Sequence, residues 1–134
     1  MGSYKAKEMI MNWNSAYSAI KNSITKGLEI NTRNSKHRIV LEIPPYKCAT
    51  NSYGNSEGFK VRIGVANTIE IPISMLEALY EASISNNMIF ENKVFEKLYP
   101  KQLNQHGCHV HVVGQILVKS GLANLVGTGM YKLI

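Results

Sequence analysis

Over 39–43, 59–65 and 69–73 apolar residues recur at every second position, while on both flanks of this region they recur every three or four. Side chains change face at each residue of a strand and return to one face about every 3.6 residues of a helix. The chain therefore carries a small sheet between helical segments, which is an α+β fold. Ile39, Leu41 and Ile43 alternate with Val40 and Glu42, and Pro44-Pro45 close this strand. Phe59, Val61, Ile63 and Val65 alternate with Lys60, Arg62 and Gly64, setting two cations side by side on the opposite face. Ile69, Ile71 and Ile73 form a third strand, joined to the second as a hairpin through Ala66-Asn67. Residues 46–58, rich in Asn, Ser and Gly, read as a long loop.

Upstream, Met9, Trp13, Ala16, Tyr17, Ile20 and Ile24 fall on one stripe, predicting a helix over 5–28 that ends at Gly27 and packs on the sheet. Downstream, Ser74 and Glu77 have capping-box spacing before Leu76, Leu79, Tyr80 and Ile84, so a helix is expected over about 75–85. Asn86-Asn87 end it. Asn92 is placed to cap a second helix carrying Val94, Phe95 and Leu98, which Pro100 stops. Residues 100–107 form a connector with room for one helical turn, and a third helix runs from about 108 to 120, ending at Gly121. Two short apolar strands, 123–126 and 130–134, are joined by Gly127-Thr128-Gly129.

Three helices followed by a glycine-tipped hairpin, with Gly121, Leu122, Gly127, Gly129, Tyr131 and Leu133 in the tail, resemble winged helix-turn-helix DNA-binding domains. The resemblance covers residues 74–134. It implies a winged-helix-like lobe there, beside an N-terminal lobe of 1–73, the two packed as one unit. It also implies that the third helix enters the major groove. His111, Gln115 and Lys119 share one stripe of that helix, opposite Val113 and Leu117, and His109 lies in its first turn. Glutamine pairs with adenine and lysine reaches guanine or phosphate. A solvated face is the plainer reading of the same stripe.

Charge points the same way. The chain has 134 residues and a formal net charge of +6. Residues 1–73 hold ten Lys or Arg against five Glu. Arg33, Lys36 and Arg38 cluster before the first strand, and Lys60 and Arg62 lie on the sheet, so these five are the candidate phosphate contacts. No Asp occurs among the nine acidic residues, which counts against aspartic dyads and the usual metal nuclease cores.

The segment 106–111 holds His106, Cys108, His109 and His111, four residues of types that bind zinc. Their spacing opposes a shared ion, since positions 109 and 111 of a helix point roughly 200° apart. No metal ligand set, cofactor or catalytic residue is assigned. Cys48 and Cys108, far apart in sequence, suit free thiols in a reducing compartment. No apolar run is long enough to span a membrane and the start lacks a signal-peptide core, so a cytoplasmic protein is expected. The function expected is non-enzymatic binding of duplex DNA, as a regulator or as the recognition module of a DNA-processing system. One alternative is a dimerisation or protein-interaction module. Another is a metal-dependent hydrolase, which requires three side chains of 106–111 and a Glu to converge.

Overall fold

The computed structural model describes residues 12–30, 38–49 and 56–134. Helix α1 spans Trp13–Ser23 and opens at Asn12, whose side-chain oxygen accepts the Ser15 amide at 2.9 Å. Ala16 and Ile20 are its buried positions. It stops before the expected Gly27. Ile24 is already extended, with φ −97° and ψ 104°, and is buried. Ile24 and Thr25 are both β-branched, which weakens a helix end, and the core takes Ile24 from extended backbone instead. Gly27 adopts a left-handed φ of 88° in the turn that follows. The part of the expected helix before residue 12 lies outside the described residues.

Strands β1 (Ile39–Glu42), β2 (Gly58–Ile63) and β3 (Asn67–Pro72) form an antiparallel sheet in that order. In the β2–β3 hairpin Phe59 faces Ile71 and Val61 faces Ile69, all four buried. Alternation then places Lys60 and Arg62 on the other face, opposite Glu70 and Thr68. Two details differ from the reading of the sequence. Gly64, at φ 66°, starts the turn, so Val65 leaves the strand and is 85% exposed. In β1 it is Val40, and not Ile39 or Leu41, that is fully buried. The pairing shifts between Val40 and Glu42, leaving Leu41 as the extra residue of a bulge.

Helix α2 (Ile73–Ser85) leaves β3 directly, with Pro72 in the capping position. It thus begins two residues before the expected start. Ser74 falls inside the first turn and forms no capping box; its hydroxyl donates to Ser56 Oγ at 3.1 Å. Asn87 and Met88 take left-handed φ values of 57° and 66° and turn the chain into β4 (Ile89–Phe90). There follow α3 (Asn92–Leu98), α4 (Pro100–Gln105), α5 (His109–Lys119), β5 (Ala123–Gly127) and β6 (Met130–Leu133). Glu91, not Asn92, occupies the capping position of α3, and its side chain makes no capping bond there. Pro100 both ends α3 and opens α4, so the expected connector is a helix of its own. The strand β4 was not anticipated. It pairs with β6, giving a second antiparallel sheet in the order β4-β6-β5. Helix, short strand, helices and a hairpin returning to that strand make a winged-helix-like arrangement, with β5–β6 as the wing and Gly129, at φ 68°, in its turn.

The two halves share one apolar cluster. It runs from Ala16, Ile20 and Ile24 through Phe59, Val61 and Ile71 to Phe95, Val113, Ile116 and Tyr131. Helix α1 packs against both α2 and α5. Among the described residues no helix is long and apolar enough to cross a membrane.

Candidate nucleic-acid interface

Helix α5 is the element on which groove reading would depend. Val110, Val113 and Leu117 face inward as expected, but His109, Val112, Gly114 and Ile116 are buried too. Only Lys119 is classed as exposed. The reason is tertiary: α1 covers one side of α5 and the wing covers another. The Tyr131 ring lies so close over Gly114 that a Cβ there would come within 2.2 Å of Cζ. A groove-inserted helix needs several side chains standing clear of the fold. In α5 that role is restricted to Lys119 and to half-buried His111, Gln115 and Val118.

The placement of His109 corrects the expectation that it faces a groove. It is 2% exposed, its ring centroid is 5.4 Å from that of Phe95, and Nδ1 lies 2.8 Å from the His106 carbonyl oxygen. Burial holds its pKa below the usual 6.5. His111 and Gln115 share a stripe, as read, yet both turn toward the wing. His111 Nδ1 is 3.4 Å from the Tyr131 hydroxyl, and the Gln115 side chain is close enough to ease ionisation of that same hydroxyl.

Arg38 joins the sheet to this region. It directly precedes β1 and lies within electrostatic reach of Cys108, His111 and Tyr131. Burial lowers the His111 pKa and Arg38 lowers it further. Burial raises the Tyr131 pKa, and Gln115 and Arg38 partly offset that. Arg62 sits on β2 opposite Ile39, one residue from Arg38, with its Nε buried and without a hydrogen-bond partner. Lys60 lies further along β2 and lines a cleft against α4. Lys119 stands roughly 12 Å beyond His111 along the helix axis, at 1.5 Å per residue. Arg33 and Lys36 lie outside the described residues. The basic set therefore divides into Arg38 near the start of α5, Arg62 on β2 across from Ile39, Lys60 in the cleft, and Lys119 at the far helix end.

The hydrolase alternative needed the 106–111 side chains to converge. Among the described residues no group of three or more His, Cys, Asp or Glu is placed to hold a metal ion. His109 Nδ1 faces a carbonyl and His111 faces Tyr131. Burial raises the Cys108 thiol pKa, and burial with Glu70 pushes that of Cys48 up to about 12, so neither is poised as a thiolate nucleophile.

Tyr131 is the residue that sequence reasoning undervalued, having been read only as part of the tail motif. A glycine in the middle of an otherwise strong apolar helix was the available signal, since it marks close approach of another group. The wing itself ends in apolar side chains, with Leu125 and Val126 52% and 57% exposed on the edge strand β5. No protein-family model, no curated protein and no solved structure matches the chain.

Proposed function

We propose that the protein is a non-enzymatic nucleic-acid-binding module that holds duplex DNA chiefly through its phosphates, as a regulator or as the recognition part of a larger DNA-processing system. The observation that carries this reading is the position of Arg38, a cation that directly precedes β1 and lies within electrostatic reach of His111 and Tyr131 beside α5. Phosphate contacts orient a protein on the duplex and supply most of its salt-dependent affinity without reading sequence. Because α5 is largely covered, Arg38 and Arg62 are the principal contacts and Gln115 supports the wing. Lys119 adds a more distant contact.

A second reading is favoured by a separate observation. The exposed Leu125 and Val126 on an edge strand suit a protein partner or a second copy of the chain. Fluorescence anisotropy of a labelled duplex across a salt series separates the two. Log affinity should fall linearly with log salt concentration, and Arg38→Ala and Arg62→Ala should each flatten the slope by about one unit. Absence of binding at low salt, or a slope unchanged in both variants, would sink the DNA reading and leave the edge strand as the functional surface.

A further inference from the structure

His111 is the half-buried polar side chain of α5 that meets both the wing and the field of Arg38. It lines two hollows, of about 430 and 370 Å³, both of which also take in Thr128 and Gly129 of the wing turn. Its Nδ1 lies 3.4 Å from the Tyr131 hydroxyl, and its Nε2 has no hydrogen-bond partner among the described residues. Unlike the Nε2 of His109, that of His111 is not a buried atom.

The charged and titratable groups around this ring are few. Arg38 acts on it from the start of β1. Tyr131 faces it from β6. Cys108 lies one turn back along α5, with a thiol that burial keeps protonated. Glu91 shares one hollow with it, but the Asn86 amide donates to that carboxylate at 2.9 Å and Lys93 lies 3.7 Å from it.

At neutral pH the ring is uncharged, because burial and Arg38 both oppose a charge on it. A phosphate drawn to Arg38 reverses the second effect. It offsets the repulsion and brings acceptor oxygens to an open N–H, so it favours the charged ring. Phosphate binding and protonation then favour each other to the same degree.

We infer that His111 is a proton-gated phosphate contact, which when charged joins Arg38 in holding the duplex backbone beside the wing, so that affinity for DNA rises on acidification. This rests on the duplex-binding reading above and adds to it a residue and a pH response. Histidine changes charge between about pH 5 and 8, whereas arginine stays charged throughout. The gain in affinity begins as pH falls through the pKa of the bound ring and is complete below that of the free ring.

Fluorescence anisotropy of a labelled duplex with the full-length chain, across a salt series at about pH 7.5 and about pH 5.5, tests this. For the parent, affinity should be about tenfold higher at the lower pH, the gain from a rise of about one unit in the ring pKa on binding. The salt slope should steepen by about one unit. His111→Gln should lose both changes. His111→Arg, charged at either pH, should bind at the higher pH as the parent does at the lower. An NMR titration of the parent His111 ring should show a higher pKa with saturating duplex than without, and it decides the matter if a variant does not fold. A pH response as large in His111→Gln as in the parent, or a ring pKa unmoved by duplex, overturns the inference and leaves the duplex reading standing. No binding at low salt at either pH overturns both.

Discussion

At Gly114 one hydrogen atom decides how α5 meets the wing. The three ring carbons of Tyr131 nearest to an added Cβ would lie at 2.2, 2.3 and 2.6 Å, well inside any tolerable contact. In an ordinary helix interior Gly→Ala stabilises by up to about 1 kcal/mol. Here the sign should reverse. Overpacking of this kind costs about 1–3 kcal/mol, so Gly114→Ala should lower the urea midpoint by a corresponding amount. The same substitution made in a Tyr131→Leu background should cost far less, because the two residues share one contact and their effects do not add. A Gly114→Ala protein as stable as the parent would mean that Tyr131 does not rest on α5. The correction at His109 is of the same grain. A polar residue in a first helical turn reads as exposed, but Phe95 and the His106 carbonyl enclose it.

At the scale of elements, the defining contact is α1 on α5. Ile20 is fully buried on α1 and belongs to the same apolar cluster as Val113 and Ile116 of α5. Trp13, the single tryptophan, stacks on Tyr17 with ring centroids 5.9 Å apart and tilts against Tyr80 of α2 at the same distance. Trp13 thus joins α1 to α2. Truncating a buried isoleucine to alanine costs about 2–5 kcal/mol, and Ile20→Ala should fall in that range. Tryptophan fluorescence reports α1 and far-ultraviolet circular dichroism reports all helices. If the halves are one cooperative unit, both signals should shift together in this variant. Fluorescence melting well before the dichroism would instead make α1 a detachable cover over α5.

For the whole molecule, the buried titratable groups set a pH window of stability. His109 and His111 both have pKa values held below the ordinary 6.5, mainly by burial. As pH drops through 6.5 the unfolded chain takes up protons before the folded one does, so stability is full above about that pH and declines below it. Cys48 works at the other end. Its thiol is pushed from 9.0 up to about 12, so the unfolded chain ionises first and stability declines as pH rises past 9.0. Urea midpoints should therefore plateau between these limits. His111→Gln should shallow the acid limb and Cys48→Ala the alkaline one. An acid limb identical in His111→Gln and the parent would show that this imidazole is not held neutral by the fold.

Much of the fold was legible in the residues alone. The alternation of Phe59, Val61 and Ile63 with Lys60 and Arg62 determined β2 and its faces, because strand geometry leaves no other way to bury one set. Gly121 and Gly129 marked the end of α5 and the turn of the wing through backbone conformations that other residues resist. The candidate site was legible only as a set of residue types. Local periodicity tells which side of a helix is apolar, but not how many neighbours will cover the rest. The covering of α5 by α1 and by Tyr131, the inward turn of Val40 at a bulge, the strand β4, and the approach of Arg38 to His111 all depend on contacts between segments distant in the chain. Such contacts are chosen by the packing of the whole core, and so only the tertiary structure decided them.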